Sequence, residues 1–228
     1  MWNKKNIRDY FLPIMSLLLM MAGLYMVFVY VPTEKEMGVV QRIFYFHVPI
    51  AWISYLAFFV AFVSSILYLW KNERKWDSLA YSSIEIGLIF TTLVLVTGPI
   101  WAKSAWGAWW TWDARLTTTL ILWIIYIAYL TIRSFASNES QGARFAAIVG
   151  IVGFLDVPIS AFAINLWETQ HPQPLIFEGG LESSMQYTLF VCLAAFTVAY
   201  VTLLITRFSL RECEADILQL EDTLTESD

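Results

Sequence analysis

The sequence predicts an all-α, polytopic membrane protein, a bundle of six transmembrane helices. Three observations predict it. The 228 residues are 58% hydrophobic and only 14% charged, whereas soluble domains carry roughly 25% charged residues. Six apolar runs reach the roughly 20 residues that cross a hydrocarbon core as a helix. The connections between them carry Lys and Arg unevenly, on alternate sides.

In chain order, Lys4, Lys5 and Arg8 precede an apolar run over 10–31. The arrangement imitates a signal peptide, but the run is too long for that and ends without a small-x-small cleavage site, so it reads as an uncleaved first span. The other runs lie near 48–70, 79–100, 116–134, 145–166 and 186–206. Residues 1–206 therefore form one membrane domain, and 207–228 an acidic tail. In the tail Leu210, Cys213, Ile217, Leu220 and Leu224 alternate spacings of three and four, one stripe of a short helix. That helix either docks on a cytoplasmic partner or frays on its own.

Lys4, Lys5, Arg8, Lys71, Arg74, Lys75, Arg133, Arg144, Arg207 and Arg211 fall on one side, and Lys35, Arg42, Lys103 and Arg115 on the other. The positive-inside rule makes both termini cytoplasmic. The formal charge of -5 argues against nucleic acid, which needs clustered cations. Cys192 and Cys213 lie in different environments and do not read as a disulfide. Neither a Cys-x-x-Cys-His sequence nor a phosphate-cradling glycine loop is present, so covalent haem of the c type is not expected and an ATP-driven role needs a partner.

Five of the 11 tryptophans lie between Trp101 and Thr117. An interfacial belt takes one or two per helix end. Trp106, Trp109, Trp110 and Trp112, with Asp113 and Arg115 beside them, read instead as a stacking surface for a flat, apolar ligand with an anionic edge. The chain has only two histidines, His47 at the outer start of the second span and His171 in the last outer loop. Alternate loops share a membrane side, so both fall at the tryptophan face whichever way the chain is inserted.

Two imidazoles beside indoles fit iron in a porphyrin, since histidine is a standard axial ligand of haem. Arg42 and Arg115 are then the candidates to neutralise the propionates, ahead of Lys103. A zinc site completed by Glu168 and Glu178 is the competing reading, because zinc takes three or four protein ligands. An electron-transfer cytochrome b is the weaker one, since two outer histidines supply at most one haem. Asp156 and Glu85 lie inside spans with no Lys or Arg in a span to pair with them. They mark either structural hydrogen bonds, for Asp156 at a kink near Pro158, or a polar path through the bundle.

The run from Trp106 to Thr117 resembles the Trp-rich signature of the haem-handling family of cytochrome c maturation. Within that family the chain is similar to the haem exporter protein C, or CcmC, branch. The likeness includes length, span number, the histidine in Arg42-Ile43-Phe44-Tyr45-Phe46-His47-Val48-Pro49, and His171 in the third outer loop. It implies a bacterial inner-membrane protein, not itself an enzyme, that holds haem b non-covalently and transiently at the periplasmic face. His47 and His171 would be axial ligands, and the four tryptophans with Asp113 the platform. The implied partners are the haem chaperone CcmE, the ABC transporter CcmA with CcmB, the small protein CcmD and the lipid bilayer. A transmembrane haem channel is the alternative function.

Overall fold

In a computed structural model, residues 7–136, 138–172 and 181–225 are described; Lys4, Lys5 and Glu178 lie outside them. The elements are α1 (Ile7–Tyr25), continued by a π-helical turn (Met26–Tyr30), a 3-10 turn (Val39–Ile43), α2 (Phe44–Lys71), α3 (Arg74–Trp106), α4 (Ala114–Phe135), α5 (Glu139–Phe154), α6 (Asp156–Leu166) and α7 (Ser183–Thr225). Six helical segments, α5 with α6 counting as one, are long and apolar enough to cross a membrane. The six-helix expectation therefore holds.

The helices outlast the apolar runs at both ends because a helix does not stop where the hydrocarbon does. Polar residues continue it until a cap ends it. Asn72 adopts the left-handed conformation (φ 53°) after α2 and donates its backbone N–H to the Tyr68 carbonyl. That reverses the chain within two residues and packs α3 along α2. The centre of the bundle joins Phe58 of α2 to Tyr126 of α4, stacked with centroids 3.8 Å apart. Ala61, Ile84, Leu122, Tyr129, Ala146 and Val157 surround this pair. Helix α1 packs on α7 at the edge of the bundle. It turns Leu17, Leu18 and Met21 outward, where lipid chains cover them; its backbone groups are satisfied within the helix.

Two expectations are revised. Glu85 does have a cation: Arg207 donates Nε to Oε2 at 2.6 Å and Nη2 to Oε1 at 3.2 Å. Arg207 sits on α7, just past the last apolar run, and its long side chain reaches back along the helix. The tail, moreover, is no separate short helix. It continues α7 through Thr225, a rod roughly 64 Å long at 1.5 Å per residue. Arg74 on α3 bonds Asp216 and Glu212 of that extension, and Ser78 bonds Glu212.

Asp156 occupies the first turn of α6, immediately after the break at Leu155. A carboxylate is favourable there because the helix dipole puts positive charge at its N-terminus. Pro158 follows in the same turn, where its missing N–H costs nothing. The kink expected near Pro158 is found at Leu155, the one turn residue between α5 and α6, which keeps right-handed helical dihedrals.

Candidate functional site

The outer end of α3 stops at Trp106 because Gly107 takes φ 75° and donates its N–H to the Lys103 carbonyl. The Lys103 ammonium donates to the Gly107 carbonyl at 2.8 Å, so that lysine serves the cap. Helix α4 starts at Ala114 because Asp113 caps it, Oδ1 accepting the Leu116 N–H at 3.0 Å. Between the two caps the chain carries Trp109, Trp110 and Trp112. Trp112 holds φ 56°, a conformation costly for a bulky L-residue. Trp112 is 70% exposed and Trp109 58% exposed.

The indoles form two edge-to-face pairs. Trp110 meets Trp112 with centroids 5.6 Å apart, and Trp101 meets Trp106 at the same separation. Trp101 thereby joins the aromatic set, although it lies a helical turn before the signature. The Trp110 indole N–H is buried and has no hydrogen-bond partner among the described residues.

Asp113 does more than cap. Its Oδ2 accepts the Thr169 hydroxyl at 3.1 Å and, weakly, that of Thr111 at 3.4 Å. Thr169 Oγ1 in turn accepts the backbone N–H of His171 at 2.9 Å. A chain of hydrogen bonds therefore runs from the tryptophan segment to the last outer loop and ends at a histidine. Both carboxylate oxygens of Asp113 are used by the protein.

His171 is half-buried. Its Nδ1 lies 3.1 Å from the Pro172 carbonyl, and a carbonyl only accepts, so Nδ1 carries the proton and Nε2 keeps its lone pair. Burial, and then the Arg115 charge, push its pKa down to about 4. The ring is therefore neutral at neutral pH, as a metal ligand must be. His47 stands in the first turn of α2 with Nδ1 2.8 Å from the Thr97 hydroxyl of α3. His47, His171 and Arg115 are close enough for their charges to interact. Among the described residues Arg115 makes one hydrogen bond, a long contact of 3.5 Å from Nη1 to the Ala161 carbonyl.

The structure thus gathers His47, His171, Arg115 and Asp113 at the tryptophan end of the bundle. Arg42 is placed differently: its guanidinium lies 5.8 Å from the Phe28 ring centroid, toward α1. Its Nε is buried without a partner among the described residues. Among the described residues no three His, Cys, Asp or Glu side chains are placed to hold a metal ion. The donor set fits a porphyrin better than a bare cation: two imidazoles, exposed indole faces, one guanidinium and an orphaned indole N–H.

Sequence reasoning missed Thr169 and Thr97. Thr169 had a local signal, because a Ser or Thr hydroxyl two residues before a backbone N–H commonly accepts from it. Thr97 had none, lying 50 residues from its partner.

Comparison with known proteins completes the description. A family described as heme exporter protein C matches residues 4–223. Heme exporter protein C of Bradyrhizobium diazoefficiens is 34% identical over 176 residues, covering 75% of this chain and 66% of that protein. The protein of the same name from Escherichia coli K12 is 30% identical over 198 residues, covering 86% of this chain and 80% of its own length. That of Haemophilus influenzae is 31% identical over 206 residues, covering 89% and 83%.

Proposed function

Because the chain belongs to the heme exporter protein C family, we propose that it delivers haem for c-type cytochrome biogenesis, binding it non-covalently at the outer face of the bundle. On this reading residues 1–206 are the membrane domain of a bacterial inner-membrane protein, and 207–228 its cytoplasmic extension. Both termini are cytoplasmic, and the tryptophan end opens to the periplasm. The observation that supports the proposal is the hydrogen-bond chain from Asp113, next to exposed Trp112, through Thr169 to His171, with His47 and Arg115 near enough to His171 for their charges to act on it.

Haem b is the cargo. His47 and His171 would hold its iron, the indoles would cover the apolar rim, and Arg115 would neutralise a propionate. Arg42 serves the second propionate if the macrocycle extends toward α1. Asp113 acts by tying the His171 loop to the platform. The exposed faces of Trp109 and Trp112 leave room for the chaperone CcmE to meet the bound haem. ATP-driven steps belong to CcmA with CcmB, assisted by CcmD, and this chain contributes binding and presentation only.

The transmembrane channel is the less favoured reading. Stacked Phe58 and Tyr126 fill the centre of the bundle, and Glu85 is neutralised by Arg207. A polar path loses its Glu85 clue there and keeps only Asp156, whose Oδ2 is buried with no hydrogen-bond partner among the described residues.

The test is the visible spectrum of the purified protein with haem, beside His47→Ala and His171→Ala. A low-spin six-coordinate spectrum in the wild type, changed in each variant, together with loss of CcmE loading, is the expected result. Unchanged spectra in both variants would refute the two-histidine site.

A further inference from the structure

We propose that Thr97 is the positioning residue for His47: its hydroxyl fixes the imidazole tautomer that leaves Nε2 free to ligate haem iron. The inference rests on the bis-histidine reading above and concerns this chain's own atoms.

Thr97 Oγ1 lies 2.7 Å from the Leu93 carbonyl and 2.8 Å from His47 Nδ1. A hydroxyl has one proton and two lone pairs. The carbonyl only accepts, so that proton goes to Leu93. Toward His47, Thr97 can then only accept. Nδ1 must be the protonated nitrogen of a neutral ring, and Nε2 is left with its lone pair.

Gly98, the next residue, completes the seat. A Cβ at this position would come within 3.3 Å of His47 Cε1, so the absence of a side chain lets the ring approach α3 closely. Thr97 and Gly98 together lie against the Nδ1–Cε1 edge of the ring. Pro172 does the same for His171, whose Nδ1 faces a carbonyl. Both ligands are thus set to the same tautomer by different elements, one by a helix hydroxyl and one by its own loop. Outer partners of this kind orient a ligating imidazole and raise its basicity, and their loss commonly costs about 10- to 100-fold in affinity for the metal.

The first measurement needs no variant. Nitrogen-15 spectra of histidine-labelled, haem-free protein distinguish protonated from bare ring nitrogens, with His171→Gln used to assign the two rings. The expected result is a protonated Nδ1 and a bare Nε2 at His47. A protonated Nε2 overturns the proposal.

The second compares Thr97→Val with Thr97→Ser in the full-length protein. Valine keeps the shape and removes the acceptor; serine keeps the hydroxyl. Valine should weaken haem binding at least about tenfold and raise the iron midpoint potential, because a less basic imidazole stabilises ferric iron less. Serine should bind as wild type does. Wild-type affinity and potential in the valine variant, with His47→Ala still losing the six-coordinate spectrum, would refute the positioning role and leave the haem site standing. An unaltered spectrum in His47→Ala would refute the site itself. If the valine variant fails to fold, the tautomer measurement on the wild type decides alone.

Discussion

Replacing Asp113 by asparagine separates two tasks that the aspartate performs together. One oxygen caps α4 through the Leu116 N–H, and the other accepts the Thr169 hydroxyl that holds the His171 backbone. Asparagine caps a helix about as well as aspartate, so its single carbonyl oxygen can keep the first bond. Its amide then faces Thr169 with a donor where an acceptor stood; the second lone pair of Thr169 Oγ1 can accept it, so the charge-assisted tie to the last loop becomes a weaker, neutral one. A hydrogen bond to a charged group contributes about 1.5–3 kcal/mol. Because Thr169 and Asp113 are only half-buried, screening reduces this to about 1–2 kcal/mol. The neutral bond recovers part of that amount, so about 0.5–1 kcal/mol is lost from the ordering of His171, roughly 2- to 5-fold in haem affinity. Asp113→Ala loses the tie and also the cap, a further ~1 kcal/mol of stability. The assay is a haem titration followed by visible absorption, beside a thermal melt of each variant. Asparagine should melt close to the wild type but bind haem more weakly; alanine should be worse in both. An asparagine variant that binds haem like the wild type would refute the tie, and equal binding losses with equal melting losses would assign the effect to the cap.

Three further outcomes are expected. Trp112→Asn removes a bulky residue from φ 56° in favour of one that tolerates it. Thermal stability should not fall, yet haem binding should weaken; a fall in stability with intact binding would make Trp112 a structural residue. Glu85→Gln leaves Arg207 without its bidentate partner. It should cost about 1–3 kcal/mol, below the loss for a fully buried pair because both side chains are part-exposed, while the haem spectrum and CcmE loading stay intact; lost delivery in a stable variant would revive the channel. His171 should add a pH dependence to the haem-free protein. Its folded pKa of about 4 lies below the ordinary value near 6.5, so the unfolded chain binds more protons between the two. The stabilisation is complete above about pH 6.5 and is lost as pH falls toward 4. Melting curves across that window should slope downward with acid in the wild type and less steeply in His171→Gln; parallel curves would place His171 in solvent.

Of the site, the sequence made legible which residues meet and at which end of the molecule. Alternate loops of a membrane bundle share a side, so His47, His171 and the tryptophans fall together by parity alone. It did not show how they are held. Asp113 looked like part of a stacking surface and proves to be the anchor of the last loop. Arg42 and Arg115 looked equivalent, and their surroundings differ: the Arg42 guanidinium lies against the Phe28 ring, while Arg115 is near enough to both imidazoles for its charge to act on them. Trp101, a turn earlier, pairs with Trp106 and extends the aromatic set.

The six spans were determined by the sequence alone, because the hydrocarbon core imposes a length and an apolar run of that length is a one-dimensional property. Helix ends at Asn72, Gly107 and Asp113 belong to the same class, since a cap is a local conformation. The bonds from Glu85 to Arg207, from Asp113 to Thr169 and from His47 to Thr97 are different in kind. They join residues 122, 56 and 50 positions apart. Each depends on the axial register and rotation of one helix against another. Interlocking side chains along the whole contact set that register, so no single segment encodes it and only the packed bundle decides it.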